Sequence, residues 1–158
     1  MSAVREFIYT GFYTGYLPMA PGSWGSWAAA ALLAILVSYF SDYHHYICLG
    51  GSAFFFLLGL FALTELADDT ISDDPPFVTV DEWAGQFLVY TLVPLTTLNL
   101  FLGFVIFRIF DTWNFWPGEN ARSLGGSLGI MLNDLVAGAY AALALGILNL
   151  IWGLISQL

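Results

Sequence analysis

Four long apolar stretches make up most of this chain and limit what it can fold into. They run from Trp24 to Phe40, from Tyr46 to Thr64, from Trp83 to Phe110 and from Gly129 to Ile155. An α-helix needs about 20 mostly apolar residues to cross the hydrocarbon core of a bilayer. The chain is 59% hydrophobic and 9% charged, which is too apolar for a water-soluble domain of this size. The sequence therefore predicts an all-α, polytopic membrane helical bundle that forms a single domain over residues 1–158.

The third stretch is too long for one crossing and is interrupted near its middle. Pro94 and Asn99 flank two threonines there, and proline breaks a helix because it has no backbone N–H group. We therefore predict a short helical hairpin, with Glu82–Val93 leading out and Thr97–Phe110 returning. About three full spans plus this hairpin make up the predicted bundle. Each arm is short for a hydrocarbon core of about 30 Å, so the hairpin would thin the bilayer or lie partly buried among the other helices.

The order of these elements predicts that most charged residues share one side of the membrane. The first two helices cross the membrane out and back, and the hairpin does the same. Both pairs therefore return the chain to the side of the membrane on which the N-terminal loop lies. All three arginines and most of the twelve acids then fall on that side, which the positive-inside rule identifies as cytoplasmic. His44, His45 and Cys48 fall on the opposite side, so a histidine or cysteine nucleophile is not expected.

The charge balance excludes one class of partner. The net charge of −9 and the presence of only three basic residues argue against nucleic acid, because neutralising its phosphates requires many basic groups. A single phosphate in a small site is still compatible, since one arginine and a divalent cation can hold it. The opening segment MSAVREFIYTGFYTG lacks the features of a cleaved signal peptide, and we expect none.

Carboxylates at the ends of apolar runs are the first candidates for chemistry. Asp81 and Glu82 open the third stretch and follow a group of acids that includes Asp74. They indicate either a helix start favoured by the helix dipole or a divalent-cation site, because Mg²⁺ prefers carboxylate oxygens. Asp134 falls about one turn inside an otherwise apolar helix, where an unpaired carboxylate is costly. We therefore expect it to have a metal or an arginine as its partner.

Three further features lie on the same predicted side. Arg108 and Asp111 share a helix face and form either a local ion pair or a phosphate clamp in which Asp111 holds metal or orients the arginine. The glycine-rich Gly125–Gly129 segment is either a flexible turn or a source of N–H groups for an anion. The Pro- and Gly-rich loop from Thr14 to Gly25 is expected either to line a polar cavity or to start a helix with Ser23 as N-cap.

Four motifs within these segments, in order along nearly the whole chain, resemble those of one enzyme family. They comprise Thr14-Gly15, Pro18, Ala20-Pro21-Gly22-Ser23 and Gly25; Asp74-Pro75, Val78, Asp81-Glu82 and Gly85; Phe107-Arg108, Asp111 and Trp116-Pro117; and Gly125-Gly126, Gly129-Ile130-Met131, Asp134 and Ala137-Gly138. Together they resemble phosphatidylglycerophosphatase A, a family of bacterial membrane phosphatases that convert phosphatidylglycerol phosphate to phosphatidylglycerol.

The resemblance implies a Mg²⁺-dependent lipid phosphatase at the cytoplasmic face of the bacterial inner membrane. Its implied partners are a phospholipid substrate and the membrane, and an oligomer is compatible with it. The candidate catalytic residues are Glu82, Asp134, Asp81 and Asp111. The candidate metal ligands are Asp81, Glu82, Asp134 and Asp74. The candidate phosphate- or substrate-binding residues are Arg108, Arg122, Gly126, Ser23, Thr14 and Asn114.

Three features depart from the family pattern, the first being an extra residue within the Gly125–Gly129 segment. Asn114 stands where the family has a lysine, and Asn133 stands where it has the first aspartate of a pair. Two other functions are therefore kept open, namely a catalytically impaired homologue that binds lipid and a small ion-coupled membrane transporter. The sequence also leaves open whether water or a carboxylate attacks the phosphorus atom.

Overall fold

The chain folds into a bundle of α-helices, as its apolar stretches predict. The computed structural model describes residues 2–64, 66, 75–113, 116–118 and 124–157. Within these ranges there are six α-helices and no strand. The helices are α1 (Ala3–Tyr9), α2 (Pro21–Tyr39), α3 (His44–Leu63), α4 (Val80–Val89), α5 (Thr97–Trp113) and α6 (Gly126–Ile155). The predicted all-α class is confirmed.

Three helices are long and apolar enough to cross a membrane. They are α2, α3 together with the 3-10 turn that precedes it (Ser41–Leu63), and α6. The prediction of three full spans is confirmed, with boundaries shifted by a few residues. α2 begins at Pro21 rather than Trp24, because proline is well suited to the first position of a helix, where its missing N–H costs nothing.

The predicted hairpin is also confirmed, and its first arm is the centre of the bundle. α4 has 10 residues, continues into a 3-10 turn over Tyr90–Leu92 and gives way to the returning α5. Every residue of α4 except Leu88 is buried, and α4 packs against α2, α3, α5 and α6. A helix of this length extends for only about 15 Å. It is therefore enclosed by protein and carries its N-terminal acids inside the bundle.

Side-chain amides hold the far end of the hairpin. Asn99 Nδ2 donates to Pro94 O at 2.8 Å, and the amides of Asn99 and Asn149 donate to each other at 3.0 Å. Asn149 Nδ2 also donates to Leu145 O at 2.9 Å. Backbone carbonyls freed by a broken helix need such partners wherever water does not reach them.

Two glycines bring α4 and α6 into backbone contact. A Cβ atom added at Gly138 would lie 2.5 Å from the carbonyl oxygen of Gly85, and one added at Gly85 would lie 2.5 Å from the carbonyl oxygen of Asp134. Small residues allow this approach. The contact sets the first turn of α4 beside Asp134.

The N-terminal segment packs against the start of α4. Thr79, directly before α4, donates its backbone N–H to Tyr9 O at 2.9 Å, and its hydroxyl lies 3.2 Å from that of Thr14. Arg5 of α1 contacts the end of α3, with Nη1 3.2 Å from Thr64 Oγ1. The N-terminal loop, the start of α4 and the start of α2 are thus gathered at one end of the bundle.

Candidate active site

Three buried carboxylates from two helices meet at this end. Asp81 and Glu82 lie in the first turn of α4, and Asp134 lies in α6. Each offers a carboxylate oxygen, and the three oxygens lie within 4.8 Å of one another. The exposed fractions of the residues are only 3%, 8% and 2%, respectively. Carboxylates so close together and so poorly hydrated repel one another strongly. The arrangement therefore requires a compensating cation or bound proton.

Arg108 connects this cluster to a fourth carboxylate. Its Nη1 atom lies 2.7 Å from Asp111 Oδ2 and 3.7 Å from Glu82 Oε1. The i,i+3 ion pair expected from the sequence therefore forms, and the arginine also reaches the acidic cluster. Asp111 contacts Arg108 rather than belonging to the group formed by Asp81, Glu82 and Asp134. The site thus has an anionic part deep in the bundle and an arginine at its outer edge.

A cavity of about 310 Å³ opens onto these groups, which is at the lower end of the usual range for small-ligand sites, about 300–1,000 Å³. Its walls come from the start of α2, the segment before α4, α4 itself and the end of α5. The lining residues are Ala20, Pro21, Gly22, Pro75, Pro76, Val78, Glu82, Arg108, Asp111 and Thr112.

Gly22 lets α2 begin beside the charged groups. A Cβ atom at this position would overlap the Glu82 carboxylate and would lie 3.1 Å from Arg108 Nη1. The site therefore requires glycine after Pro21, and this Pro-Gly pair does more than begin the helix. The prediction that this loop lines a polar cavity is confirmed for Ala20, Pro21 and Gly22.

The other candidate residues are placed less centrally. Ser23 lies inside α2, because Ala20 takes the N-cap position; the N-cap interpretation of Ser23 is wrong. Thr14 donates its hydroxyl to Gly11 O at 2.8 Å and supports Thr79. Gly126 is the first residue of α6, with φ 61°, and is not among the described residues that line the cavity. The roles of all three in substrate binding stay predictions.

Three candidates, Asp74, Asn114 and Arg122, lie outside the described residues. Two residues that contact the site were not among the candidate site residues chosen from the sequence, although Asn133 was noted there as a departure from the family pattern. Thr112 lines the cavity, and its position four residues after Arg108 places it on the same helix face. Asn133 is buried and donates its Nδ2–H to Asp134 Oδ1 at 3.2 Å, a contact between chain neighbours that depends on local side-chain orientation.

Fold and site together define a membrane-embedded helical protein with an acidic, arginine-flanked pocket at one end, a combination suited to binding a cation together with a phosphate ester. The family model described as phosphatidylglycerophosphatase A matches residues 7–149. The chain therefore belongs to the phosphatidylglycerophosphatase A family of phosphoric monoester hydrolases, which confirms the resemblance found in its motifs.

Individual relatives agree with the family. The chain is 29% identical over 144 residues to phosphatidylglycerophosphatase A of Escherichia coli K12, which covers 90% of this chain and 81% of the relative. It is 32% identical over 140 residues to phosphatidylglycerophosphatase A of Haemophilus influenzae, covering 87% and 84%. It is also 27% identical over 158 residues to a Bacteroides thetaiotaomicron protein provisionally named phosphatidylinositol-3-phosphatase, covering 96% and 98%. No solved structure matches the chain.

Proposed function

We propose that this chain is a Mg²⁺-dependent lipid phosphatase that hydrolyses the terminal phosphomonoester of phosphatidylglycerol phosphate. The observation that carries the proposal is the convergence of Asp81, Glu82 and Asp134 within 4.8 Å, beside an arginine in a cavity at one end of a membrane bundle. The names of two relatives supply the substrate, and the buried acidic cluster supplies a reason for a divalent cation.

The carboxylate cluster fits the ligand requirements of Mg²⁺. Oxygen ligands on opposite sides of Mg²⁺ are separated by about 4.2 Å, twice a bond length of about 2.1 Å. The oxygens of Asp81, Glu82 and Asp134 lie within 4.8 Å and would need only a small closure to share one ion. Glu82 Oε2 is buried within the described part of the chain and, as a carboxylate oxygen, can accept a bond to the cation. Asp74 remains a predicted fourth ligand.

Arg108 is the proposed phosphate-binding group. Its guanidinium is planar and always charged, and it offers several N–H donors in a geometry that matches phosphate oxygens. The 2.7 Å contact with Asp111 orients it towards the cavity and makes Asp111 a positioning residue. The Pro21-Gly22 backbone forms the opposite wall and leaves space for the phosphoryl group.

The proposed reaction is a hydrolysis in which the P–O bond to the lipid glycerol breaks and a water oxygen becomes bonded to phosphorus. The products are inorganic phosphate and phosphatidylglycerol, and the two protons of the water end on these products. Mg²⁺, when bound, would offset negative charge on the phosphoryl oxygens and lower the pKa of water. Arg108 would hold the same oxygens as charge develops on them, and the apolar bundle would limit access of other water.

We propose that the site faces the cytoplasm at the bacterial inner membrane. Arg5 and Arg108 lie at the same end of the bundle as the carboxylate cluster, as their contacts with the end of α3 and with Glu82 require. An excess of arginine on one side is typical of the cytoplasmic side. The bilayer would then hold the lipid tails while the phosphorylated headgroup occupies the cavity.

The purified protein is expected to release inorganic phosphate from phosphatidylglycerol phosphate but not from phosphatidylglycerol. The product has only a phosphodiester, which lacks the terminal phosphomonoester that the cavity would bind. Phosphate release from detergent micelles measures this directly. Lipid binding without turnover would instead indicate an impaired homologue, and cation flux across liposomes without turnover would indicate a transporter.

Substitution of Gly22 by alanine is expected to lower kcat by about 10- to 100-fold, the usual effect of displacing a reacting group by about 1 Å. The new methyl group would displace the Glu82 carboxylate, whereas the fold should survive because the clash falls on the end of a side chain and not on the backbone. Gly50→Ala is the matched control, since a Cβ atom at Gly50 meets nothing within 4 Å. Steady-state kinetics and thermal unfolding of both variants test this, and equal activities would contradict the role assigned to Gly22.

A further inference from the structure

A second cavity lies against the outer edge of the candidate site. It is a groove of about 380 Å³ between α2 and α5. Ser23 lines it from α2, and Phe104, Val105, Ile109 and Trp113 line it from α5. Apart from Ser23, these side chains are apolar, so the groove differs in chemistry from the charged cavity beside it.

The two cavities adjoin each other at α5. Arg108 and Thr112 line both of them, and these two residues stand one helical turn apart on α5. One molecule can therefore have a charged group against Arg108 and Glu82 while the rest of it lies along the apolar part of α5. A phospholipid with a phosphorylated headgroup has this distribution of polarity.

The groove runs in the direction a membrane lipid requires. From Trp113 to Phe104 it follows α5 for about 13 Å along the helix axis, away from the charged end of the bundle. Phe104 stacks on Trp27 of α2 with ring centroids 4.3 Å apart, which closes the inner end. Ile109 and Trp113 are 41% and 70% exposed, so the groove is open to the surroundings of the bundle at its outer end.

Another approach to the cluster is blocked. On the side of α6, the backbone contact between Gly85 and Gly138 leaves no room for a chain to pass. Phe107, which is fully buried, fills the space next to Gly85. We therefore consider the approach from the α2–α5 side, where the groove adjoins the cavity that Glu82 lines.

We infer that the α2–α5 groove binds the glycerol backbone and the first acyl methylenes of the substrate lipid, which reaches the site sideways from the bilayer. This inference rests on the proposed function, because it takes the phosphorylated headgroup to lie beside Arg108. Ser23 and Thr112 would contact the ester region, and Val105 and Ile109 would contact the chains. Selectivity for lipid over soluble phosphate esters would come from this groove.

The kinetic test fills the groove with a larger side chain. Ile109→Trp is compared with Ile35→Trp, the same change at a position on α2 that is 56% exposed and outside the groove. Both are assayed with long-chain phosphatidylglycerol phosphate and with its deacylated, water-soluble headgroup. For Ile109→Trp the ratio of the two kcat/KM values, lipid over headgroup, should fall by about tenfold, the effect of losing a few methylene contacts. For Ile35→Trp it should not change, and an unchanged ratio in Ile109→Trp would overturn the inference.

A labelling test does not depend on turnover. Phosphatidic acid with a diazirine near the glycerol end of one acyl chain is photolysed in micelles with the wild-type protein. Labelling should fall on peptides from Phe104–Trp113 and should decrease in Ile109→Trp but not in Ile35→Trp. Labelling spread over the other helices would overturn the inference. Absence of turnover with groove labelling intact would instead contradict only the proposed function.

A second copy of the chain is the other occupant to exclude. Ile109→Cys is introduced together with Cys48→Ala, and the protein is oxidised in native membranes. The inference expects no disulfide-linked dimer, because lipid covers the groove. Efficient cross-linking through Cys at this position would show that two chains meet there and would overturn the inference.

Discussion

Glu82→Gln is expected to lower kcat for phosphate release by about 10²- to 10³-fold while leaving the bundle folded. Glutamine has nearly the same shape, but it removes one of the three charges that would hold the cation. It also removes the charge that faces Arg108 Nη1 at 3.7 Å. Both the proposed metal site and the orientation of the phosphate-binding arginine would be weakened, so the loss should be larger than that caused by Gly22→Ala.

The measurement is the rate of phosphate release from phosphatidylglycerol phosphate, with thermal unfolding as a second readout. Without divalent cation the variant should be at least as stable as the wild type, because it buries one charge fewer in an apolar region. Glu6→Gln is the matched control, since Glu6 lies on α1, outside the carboxylate cluster, and accepts a hydrogen bond from the Tyr16 hydroxyl. A Glu82→Gln variant as fast as the control would refute a catalytic role for this cluster.

Removal of divalent cations is expected to lower phosphate release by at least about 10²-fold, since charge neutralisation and water activation would be lost together. A chelator should stop the reaction and Mg²⁺ should restore it. Mg²⁺ should also stabilise the fold by about 2.7 kcal/mol at 100 times its dissociation constant. Asp134→Asn should lose most of this stabilisation, because Asp134 supplies the only carboxylate of the described cluster that comes from α6.

Titration of Mg²⁺ in a thermal unfolding assay, in parallel with the rate, measures both effects on one preparation. The wild type and Asp134→Asn differ by one charge at a buried position. Equal Tm shifts in the two proteins would indicate that Mg²⁺ binds elsewhere. Full activity after exhaustive chelation would contradict the proposed metal dependence.

Much of the bundle could be predicted from the sequence because membrane helices leave a strong local signal. The length of the apolar runs predicted the three membrane spans, and the helix-breaking Pro94 predicted the hairpin. The i,i+3 spacing of Arg108 and Asp111 predicted that the two side chains could form an ion pair. Counting the crossings placed Glu82 and Asp134 at one end, and the structure brings them together.

The sequence offered burial of the hairpin among the other helices as one of two outcomes, but it did not predict that α4 would be the centre of the bundle. Its first turn carries Asp81 and Glu82, which would normally face a polar surface, yet both are buried. Their burial depends on the glycine contact with α6, which joins positions far apart in the sequence. The sequence offered a polar cavity at the Pro- and Gly-rich loop as one of two interpretations, but it did not show the close contact between Gly22 and Glu82 that shapes this cavity, because that contact depends on how α2 meets α4 and not on any local pattern.

The role of Asn133 could not be predicted from the sequence either. From the motif it stands where an aspartate is usual in the family. The structure places its amide against Asp134 Oδ1, where it donates a hydrogen bond to the carboxylate. A second aspartate there would add another negative charge to the cluster. The neutral amide thus orients Asp134 without adding to the repulsion.

The paired amides of Asn99 and Asn149 fix the position of α5 relative to α6. Their two mutual hydrogen bonds resist rotation and sliding of α5 against α6. Arg108 lies on the same helix, about two and a half turns away. A movement of α6 at the far end of the hairpin would therefore be passed along α5 to the guanidinium, so the position of Arg108 depends on contacts made at the opposite end of the bundle.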